Sequence, residues 1–193
     1  MDVDPTARDA TEVGLTIRPA KLDDVPAMRA IMDDAIVELQ RGFINSEQIE
    51  SSKAIMGIDT QLIEDGTYYV VELDGTIAGC GGWSRRATLY GHDTTAGRDA
   101  HLLDPATEPA RVRAMYTNPA FTRRGVGRLI LETCEQAAAA EGFTRLSLVS
   151  TLAGLPLYTS YGFVETERGQ DDQGGAPVPL VYMGKPVDLT PTD

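Results

Sequence analysis

The sequence predicts one α/β (α+β) domain, with a mixed central sheet of about six to seven strands flanked by helices on both faces. Three observations support this class. The chain has 193 residues, enough for one domain with a substantial core but too few for two of ordinary size. Segments that alternate apolar and polar residues are interspersed with segments of helical spacing. Their order is strand, two helices, three strands, helix, strand, helix, strand.

The N-terminal part starts with a predicted strand at residues 15–18. A helix follows, and Asp23 or Asp24 is a suitable residue to cap it. Its apolar residues recur at helical spacing, at Val25, Met28, Ile31, Met32, Ala35, Ile36 and Leu39.

Residues 46–56 predict a second helix, capped by Asn45 or Ser46. Residues 59–64 indicate one further helical turn. These helices come before the next strand, so we expect them to cover one face of the sheet.

A hairpin signal follows at residues 68–73 and 76–84, which are joined by the turn dipeptide Asp74-Gly75. Residues 87–109 contain turn residues and no sustained period, so we expect a long loop over one face. Long loops in compact domains often line a functional site.

The next strand is predicted at residues 111–117, and a helix at residues 128–141 that ends at Gly142. The inner face of this helix consists of Leu131, Cys134 and Ala138. Residues 143–150 then alternate as a half-buried strand should.

The C-terminal part begins with a short helix. Pro156 suits its first turn, and Gly162 suits the left-handed residue that ends it. Residues 164–168 and 179–183 predict a last hairpin.

The terminal segments and the cysteines indicate the cellular compartment expected for the protein. Residues 1–14 are polar and residues 188–193 are short, and we expect both to be tails outside a domain of residues 15–187. The N-terminus lacks the apolar core of a signal peptide, and no apolar run approaches the ~20 residues of a membrane span. Cys80 and Cys134 lack metal-like spacing, so buried reduced thiols in a cytoplasmic protein are expected.

The charge balance excludes some classes of partner. The chain carries 29 acidic and 17 basic residues, for a net charge of −12. Such a surface repels nucleic acid and anionic membranes, so neither is an expected partner. It would attract cationic amines, although acidity also serves solubility. A homodimer is left open.

One basic loop departs from this acidity, at Thr122-Arg-Arg-Gly-Val-Gly-Arg128. Its glycines let the backbone approach a ligand, and the start of the following helix adds unpaired N–H groups and a positive dipole end. The loop is not a nucleotide-hydrolase motif, because no Lys-Ser or Lys-Thr follows its second glycine. A dinucleotide fingerprint would need glycine at Ile130. A phosphorylated ligand is therefore predicted, with a plain turn of solvated arginines as the alternative.

Three segments together resemble the GNAT superfamily of acyl-CoA-dependent N-acetyltransferases. They are the strand end Met115-Tyr116-Thr117-x-Pro119, the basic loop, and Leu157-Tyr158-x-x-x-Gly162-Phe163. The resemblance extends over residues 15–187 and implies acetyl-CoA as the acyl donor, with no metal.

The resemblance also implies roles for individual residues. The main chain at Met115 and Thr117 would bind the pantetheine amides, and an N–H near Met115 or Tyr116 would polarise the thioester carbonyl. Tyr158 would protonate the departing thiolate, with tight packing against the pantetheine as the alternative. The pyrophosphate would lie on the loop formed by Arg123, Arg124, Gly125, Val126, Gly127 and Arg128.

Two positions depart from the family pattern. Thr122 stands where the family usually has Gln or Arg, which removes one side-chain contact but leaves the backbone cradle. Ala153 stands where the family often has Asn. This puts a side-chain bond to the pantetheine in doubt, although Thr151 would partly replace it.

No residue is identified as the general base. Five residues are candidates, either directly or through water: Glu72, His92, His101, Asp104 and Glu108. Each carboxylate is better explained as a surface group, and two isolated histidines do not predict a metal site.

Two functions remain at this stage. The first is an N-acetyltransferase acting on a primary amine of a small molecule or protein, by direct attack in a ternary complex. The second is a non-catalytic or regulatory member of the same fold that binds acyl-CoA. The acceptor itself is not identifiable from the sequence.

Overall fold

The computed structural model describes residues 14–93 and 101–188. Most of both predicted tails lies outside these ranges, as does the middle of the predicted loop at 87–109. Across the described part, no helix combines the length and apolarity needed to cross a membrane.

Seven strands form one mixed sheet in the order β1-β2-β3-β4-β5-β7-β6, which confirms the predicted class. Only the neighbours β4 and β5 run parallel, and every other neighbouring pair is antiparallel. The strands are β1 (Leu15–Pro19), β2 (Tyr68–Leu73), β3 (Thr76–Ser84), β4 (Ala110–Thr117), β5 (Arg145–Ser150), β6 (Val164–Asp171) and β7 (Val178–Pro186).

In the described ranges five α-helices accompany the sheet, namely α1 (Val25–Glu38), α2 (Ser46–Ser52), α3 (Thr60–Glu64), α4 (Val126–Ala140) and α5 (Leu155–Tyr161). Asn45 caps α2 by accepting a hydrogen bond from the Gln48 N–H, as predicted. The predicted cap on α1 is wrong. The Asp24 carboxylate makes no cap bond there, because it pairs instead with Arg18 at 2.8 Å.

Both faces of the sheet are covered. On one face α4 packs on the inner strands, and its predicted inner residues Leu131, Cys134 and Ala138 are each fully buried. On the other face α1 and α3 pack around Tyr68. Cys80 belongs to this second core, so the two free thiols lie on opposite faces, each buried as predicted.

A run of small residues in β3 brings α4 close to the sheet. A Cβ added at Gly81 would lie 2.7 Å from the Ile130 side chain, and one at Gly79 would lie 2.6 Å from Val126. Real Cβ atoms do not approach that closely, so glycine is required at both positions. The start of α4 is therefore held against the strand that neighbours β4.

Candidate active site

The strands β4 and β5 pair only at their first residues. Their register joins Ala110 to Leu146 and Arg111 to Ser147, and the pairing stops there. Beyond this point the two parallel strands diverge, so residues 112–117 present an unpaired edge to the gap. Unpaired strand groups in a gap are ready to bind the amides of an extended ligand.

A bulge in β4 lies in this gap. The register between β3 and β4 shifts between Cys80 and Gly82, and Ala114 has a φ of +51°. Such a conformation costs on the order of 1–3 kcal/mol for a residue with a Cβ. The Tyr68 hydroxyl donates to the Ala114 carbonyl at 2.9 Å and holds the bulge in place.

The edge that faces the gap includes Thr117. The next residue, Asn118, donates its N–H to the Ala78 carbonyl of β3 at 2.9 Å. Because N–H groups along a strand alternate between its edges, the Thr117 N–H points into the gap, as does that of Met115 two residues earlier. Both orientations are compatible with the predicted main-chain contacts.

The loop before α4 presents a row of N–H groups. The first bonded N–H of this segment is that of Leu129, which donates to the Gly125 carbonyl. Among the described residues, nothing accepts a hydrogen bond from the N–H groups of residues 123–128. Arg123 and Gly125 have φ of +64° and +87°, which turns successive N–H groups toward one side. This arrangement fits a pyrophosphate.

The arginine side chains of the loop differ in their surroundings. The Arg124 guanidinium lies 5.6 Å from the centre of the Phe121 ring and does not line the cleft. Arg128 pairs with Glu132 one turn along the helix at 2.9 Å. Arg123 lines the cleft, so of the two predicted phosphate-binding side chains it is the better placed.

The second glycine of the loop also has a packing role. A Cβ at Gly127 would lie 2.6 Å from Leu157 Cδ2 in α5. Glycine at this position therefore lets α5 approach the start of α4. The contact brings the helix that carries Tyr158 beside the loop at 122–128.

Tyr158 lies in the cleft with its ring against Phe163, edge to face at a centroid distance of 6.0 Å. Within the described parts of the chain, its hydroxyl has no hydrogen-bond partner. Burial raises the pKa of Tyr158 above its ordinary value, with a smaller contribution from Cys134. The phenol therefore keeps its proton at neutral pH.

A buried network anchors α5 from behind. The Glu135 carboxylate accepts from the Tyr161 hydroxyl at 2.6 Å and from the Lys185 ammonium at 2.5 Å. It also accepts from the Asp188 N–H at 2.8 Å. Tyr161 thus ties α5 to α4 and, through Glu135 and Lys185, to β7.

These elements surround one cleft of about 680 Å³. It runs from the loop at 122–128, along the open edge of β4, to the side of α1. Nearly all the predicted site residues line it, namely Met115, Tyr116, Thr117, Arg123, Gly125, Val126, Gly127, Arg128, Thr151 and Tyr158. Their assigned roles stay predictions.

Tyr116 lines the cleft, but its hydroxyl is already engaged. It accepts from the Gly57 N–H at 2.9 Å and donates to the Gly57 carbonyl at 3.1 Å. Burial raises the pKa of Tyr116. The side chain therefore fixes the segment after α2 against β4.

None of the five proposed bases lines the cleft. Glu72 pairs with Arg18 at 2.8 Å, on the far side of β2. Asp104 and Glu108 bond within their own turn, where the Asp104 N–H donates to Glu108. His92 packs over Gly57 beside a smaller pocket, and His101 lies in the loop after β3. The sequence alone does not show which of these side chains face the cleft.

The sequence is matched over residues 32–163 by the model of the acetyltransferase (GNAT) family. The chain belongs to this family. None of the curated proteins matches it significantly.

Solved structures show the same fold across nearly the whole chain. A GCN5-related N-acetyltransferase from Rhodopseudomonas palustris superposes with a TM-score of 0.66 at 18% identity, covering 89% of this chain and 94% of that one. The putative acetyltransferase yncA from Salmonella typhimurium, solved with acetyl-CoA, gives 0.59 at 19% identity, with 93% and 97% covered. The ribosomal-protein-S18-alanine N-acetyltransferase from Escherichia coli gives 0.55 at 18%, with 93% and 97% covered.

Three features of the GNAT cleft have no signal in the sequence pattern. Alanine gives no indication of the left-handed bulge at Ala114, because most left-handed residues are Gly, Asn or Asp. Gln40 and Tyr90 also line the cleft, although they come from the turn after α1 and from the loop after β3. Only the glycines of β3, opposite the bulge, indicate that two backbones meet closely there.

Proposed function

We propose that the protein transfers the acetyl group of acetyl-CoA to a primary amine by direct attack in a ternary complex. The observation that carries this proposal is the open edge of β4, which leads from a row of free N–H groups to the unbonded hydroxyl of Tyr158. Membership of an acetyltransferase family and the acetyl-CoA in the Salmonella relative support it.

Acetyl-CoA, when bound, supplies an activated acyl thioester. The N–H groups of residues 123–128 would bind its pyrophosphate, where the start of α4 adds a positive dipole end. The main chain of Met115 and Thr117 would orient the pantetheine. An N–H at the β4 bulge would hold the carbonyl oxygen as its negative charge develops.

Tyr158 is the proposed acid. Its Oη proton passes to the thiolate sulfur as the carbon–sulfur bond breaks, so coenzyme A leaves as a neutral thiol. The acceptor nitrogen forms the new bond to the acyl carbon and loses its proton to solvent or to a group outside the described lining. The reaction involves no covalent intermediate on the protein.

One observation favours the alternative, a non-catalytic acyl-CoA-binding protein. The described lining contains no carboxylate and no imidazole to act as a base. We propose the enzyme because an amine reaches its neutral form through solvent, and because the unbonded Tyr158 hydroxyl lies at the gap, where it could donate a proton to a leaving thiolate.

Thiol release from acetyl-CoA, with mass detection of the product, tests the proposal. Small primary amines and a peptide with an N-terminal alanine form the acceptor panel, the peptide because a structural relative acetylates ribosomal protein alanine. Acetylated product with any acceptor supports the enzyme. Tight acetyl-CoA binding by calorimetry without any product would support the alternative.

A further inference from the structure

The cleft continues past Tyr158 to an end whose walls are apolar. We call this the acceptor end; its walls are Leu39, Ile55, Met56, Leu89, Val149 and Leu180. They come from the turn after α1, the segment after α2, the loop after β3, and the strands β5 and β7. Five of them belong to or pack on the apolar cluster around Leu180 and Ile55 or the neighbouring cluster around Met28.

No aspartate or glutamate lines the cleft among the described residues, and its charged lining consists of arginines alone. Arg113 lies on the floor, and Arg123 and Arg128 lie at the loop. A second ammonium group on the acceptor would move from water into the cleft, where no carboxylate of the described lining could pair with it. Burying such an unpaired charge is far more costly than burying a methyl group.

The amide oxygen of Gln40 is one neutral acceptor at this end. The residue is 3% exposed, and its Nε2 donates to the Ile36 carbonyl at 3.2 Å and to Ser52 Oγ at 3.0 Å. The Ser52 hydroxyl itself donates to the Ile49 carbonyl, so it must accept from Gln40. This fixes which way the amide points. The Gln40 oxygen receives no hydrogen bond from the described residues and suits one amine N–H.

The Asp171 carboxylate lies behind the wall of the cleft, but it already accepts hydrogen bonds from Tyr90 and Gln173. Tyr90 lines the cleft, and its hydroxyl donates to Asp171 Oδ2 at 2.9 Å. The same carboxylate accepts from both the N–H and the Nε2 of Gln173 at 2.9 Å. Asp171 is 8% exposed and does not line the cleft, so it is unavailable to a second ammonium.

From these contacts we infer that the acceptor is a primary monoamine carried on an apolar body, rather than a polyamine or another dication. The body packs on the apolar walls, and the nitrogen is oriented by Gln40. The inference rests on the proposed function, because it assigns the acceptor of the same cleft. It also runs against the net charge of −12, which attracts a dication more strongly than a monocation from a distance.

Two amines of equal length test the inference on the unmodified protein. n-Hexylamine and 1,5-diaminopentane have the same number of heavy atoms, and the second replaces a terminal methyl by an ammonium. We expect kcat/KM to be at least about 10²-fold higher for n-hexylamine, on the scale by which apolar pockets reject unpaired polar groups. Equal or greater kcat/KM with the diamine would overturn the inference.

A wall residue provides a matched pair of variants. Leu89 is half-buried in the loop after β3, so Leu89→Asp is tolerable to the fold. This variant should lower the ratio of kcat/KM for n-hexylamine to kcat/KM for the diamine at least tenfold, because a carboxylate then faces the second ammonium. The side chain introduced by Leu89→Asn has nearly the same shape as that introduced by Leu89→Asp but carries no charge. This variant should therefore lower kcat/KM for n-hexylamine without raising kcat/KM for the diamine. An unchanged preference in Leu89→Asp would place the acceptor elsewhere.

Calorimetry on the coenzyme A-loaded protein separates this inference from the proposed function. If n-hexylamine binds and the diamine does not, yet neither is acetylated, the inference stands and the proposed function fails. If acetylation occurs only with dications, the function stands and the inference fails. If neither amine binds nor reacts, the inference is overturned.

Discussion

Arg113 donates to the Asp59 carboxylate at 2.6 Å, and the two side chains are 2% and 0% exposed. The same carboxylate accepts from the Gln61 N–H at 3.1 Å and so caps α3. Arg113 also donates to the Gly91 carbonyl at 3.1 Å. One ion pair thus joins the floor of the cleft to the helix layer and to the loop after β3.

We expect Asp59→Asn to lower the free energy of unfolding by about 3–5 kcal/mol, because it leaves a buried guanidinium without its counter-charge. Urea unfolding measures the change. The exposed pair of Glu38 and Arg41, at 2.9 Å, provides the control. Glu38→Gln should cost less than about 1 kcal/mol. Equal losses for the two variants would show that Arg113 finds another partner.

Gly125→Val should abolish acetyl-CoA binding while the protein still folds. An added Cβ at Gly125 meets nothing closer than Leu15 at 4.0 Å, so the site has room for it in the absence of ligand. The φ of +87° costs a branched residue about 1–2 kcal/mol, and the side chain would block the close approach of a phosphate.

Gly66→Val is the matched control for this variant. Gly66 has a φ of +71° and no atom within 4 Å of an added Cβ, and it lies in the turn after α3. It should lose similar stability and keep its affinity in calorimetric titration. Unchanged affinity in folded Gly125→Val would overturn the loop as the pyrophosphate site.

Tyr158→Phe should lower turnover roughly 10²-fold or more while leaving acetyl-CoA affinity nearly unchanged. The hydroxyl bonds to no described residue, so its loss leaves no protein group unpaired. Steady-state thiol release measures turnover. The loss should shrink with an acyl donor whose leaving thiol is more acidic, because that thiolate needs less protonation.

Tyr69→Phe is the control, since Tyr69 is half-buried and does not line the cleft. It should keep full turnover. Full turnover in Tyr158→Phe as well would make Tyr158 a packing residue, and the acid would then be another group.

Stability should fall with alkaline pH because of the buried thiols. Burial raises the pKa of Cys80 to about 12, whereas an unfolded thiol ionises at about 8.5. The stabilisation is complete below that unfolded value and is lost as pH rises toward 12. Burial also raises the pKa of Cys134. Between pH 8.5 and 9.5, the free energy of unfolding should drop by about 1 kcal/mol for each thiol.

Urea unfolding at these two pH values tests the effect, with Cys80→Ala as the variant. The variant is less stable at both values, since a buried sulfur is removed, but its pH dependence should be about half that of the parent. An identical pH dependence would mean that the Cys80 thiol does not control it.

Local signals in the sequence were strong for the turns and the helix faces. Asp74-Gly75 predicted a hairpin, and both residues have positive φ, at 51° and 77°. Gly162 ends α5 with a φ of +105°, as predicted. These features depend on a few adjacent residues whose backbone preferences act without a tertiary partner, which is why a single sequence reveals them.

Side-chain competition was harder to predict. Asp24 suits a helix cap, but Arg18 offers its carboxylate a charged partner, and the stronger bond is formed. The three carboxylates proposed as bases each bind a neighbour away from the cleft, because surface acids in a chain of this charge find local donors. Nothing in their sequence context distinguishes these surface carboxylates from a catalytic base.

The sequence by itself determined the order of elements, the glycine loop at 122–128 and the family, because each is encoded in contiguous residues whose φ preferences, periodicity and charge act locally. Only the tertiary structure decided where β4 leaves β5, that Ala114 forms the bulge, and that Gln40 and Tyr90 reach the acceptor end. Those features arise where residues distant in the chain compete for the same space and the same hydrogen bonds, and the outcome depends on every element packed there.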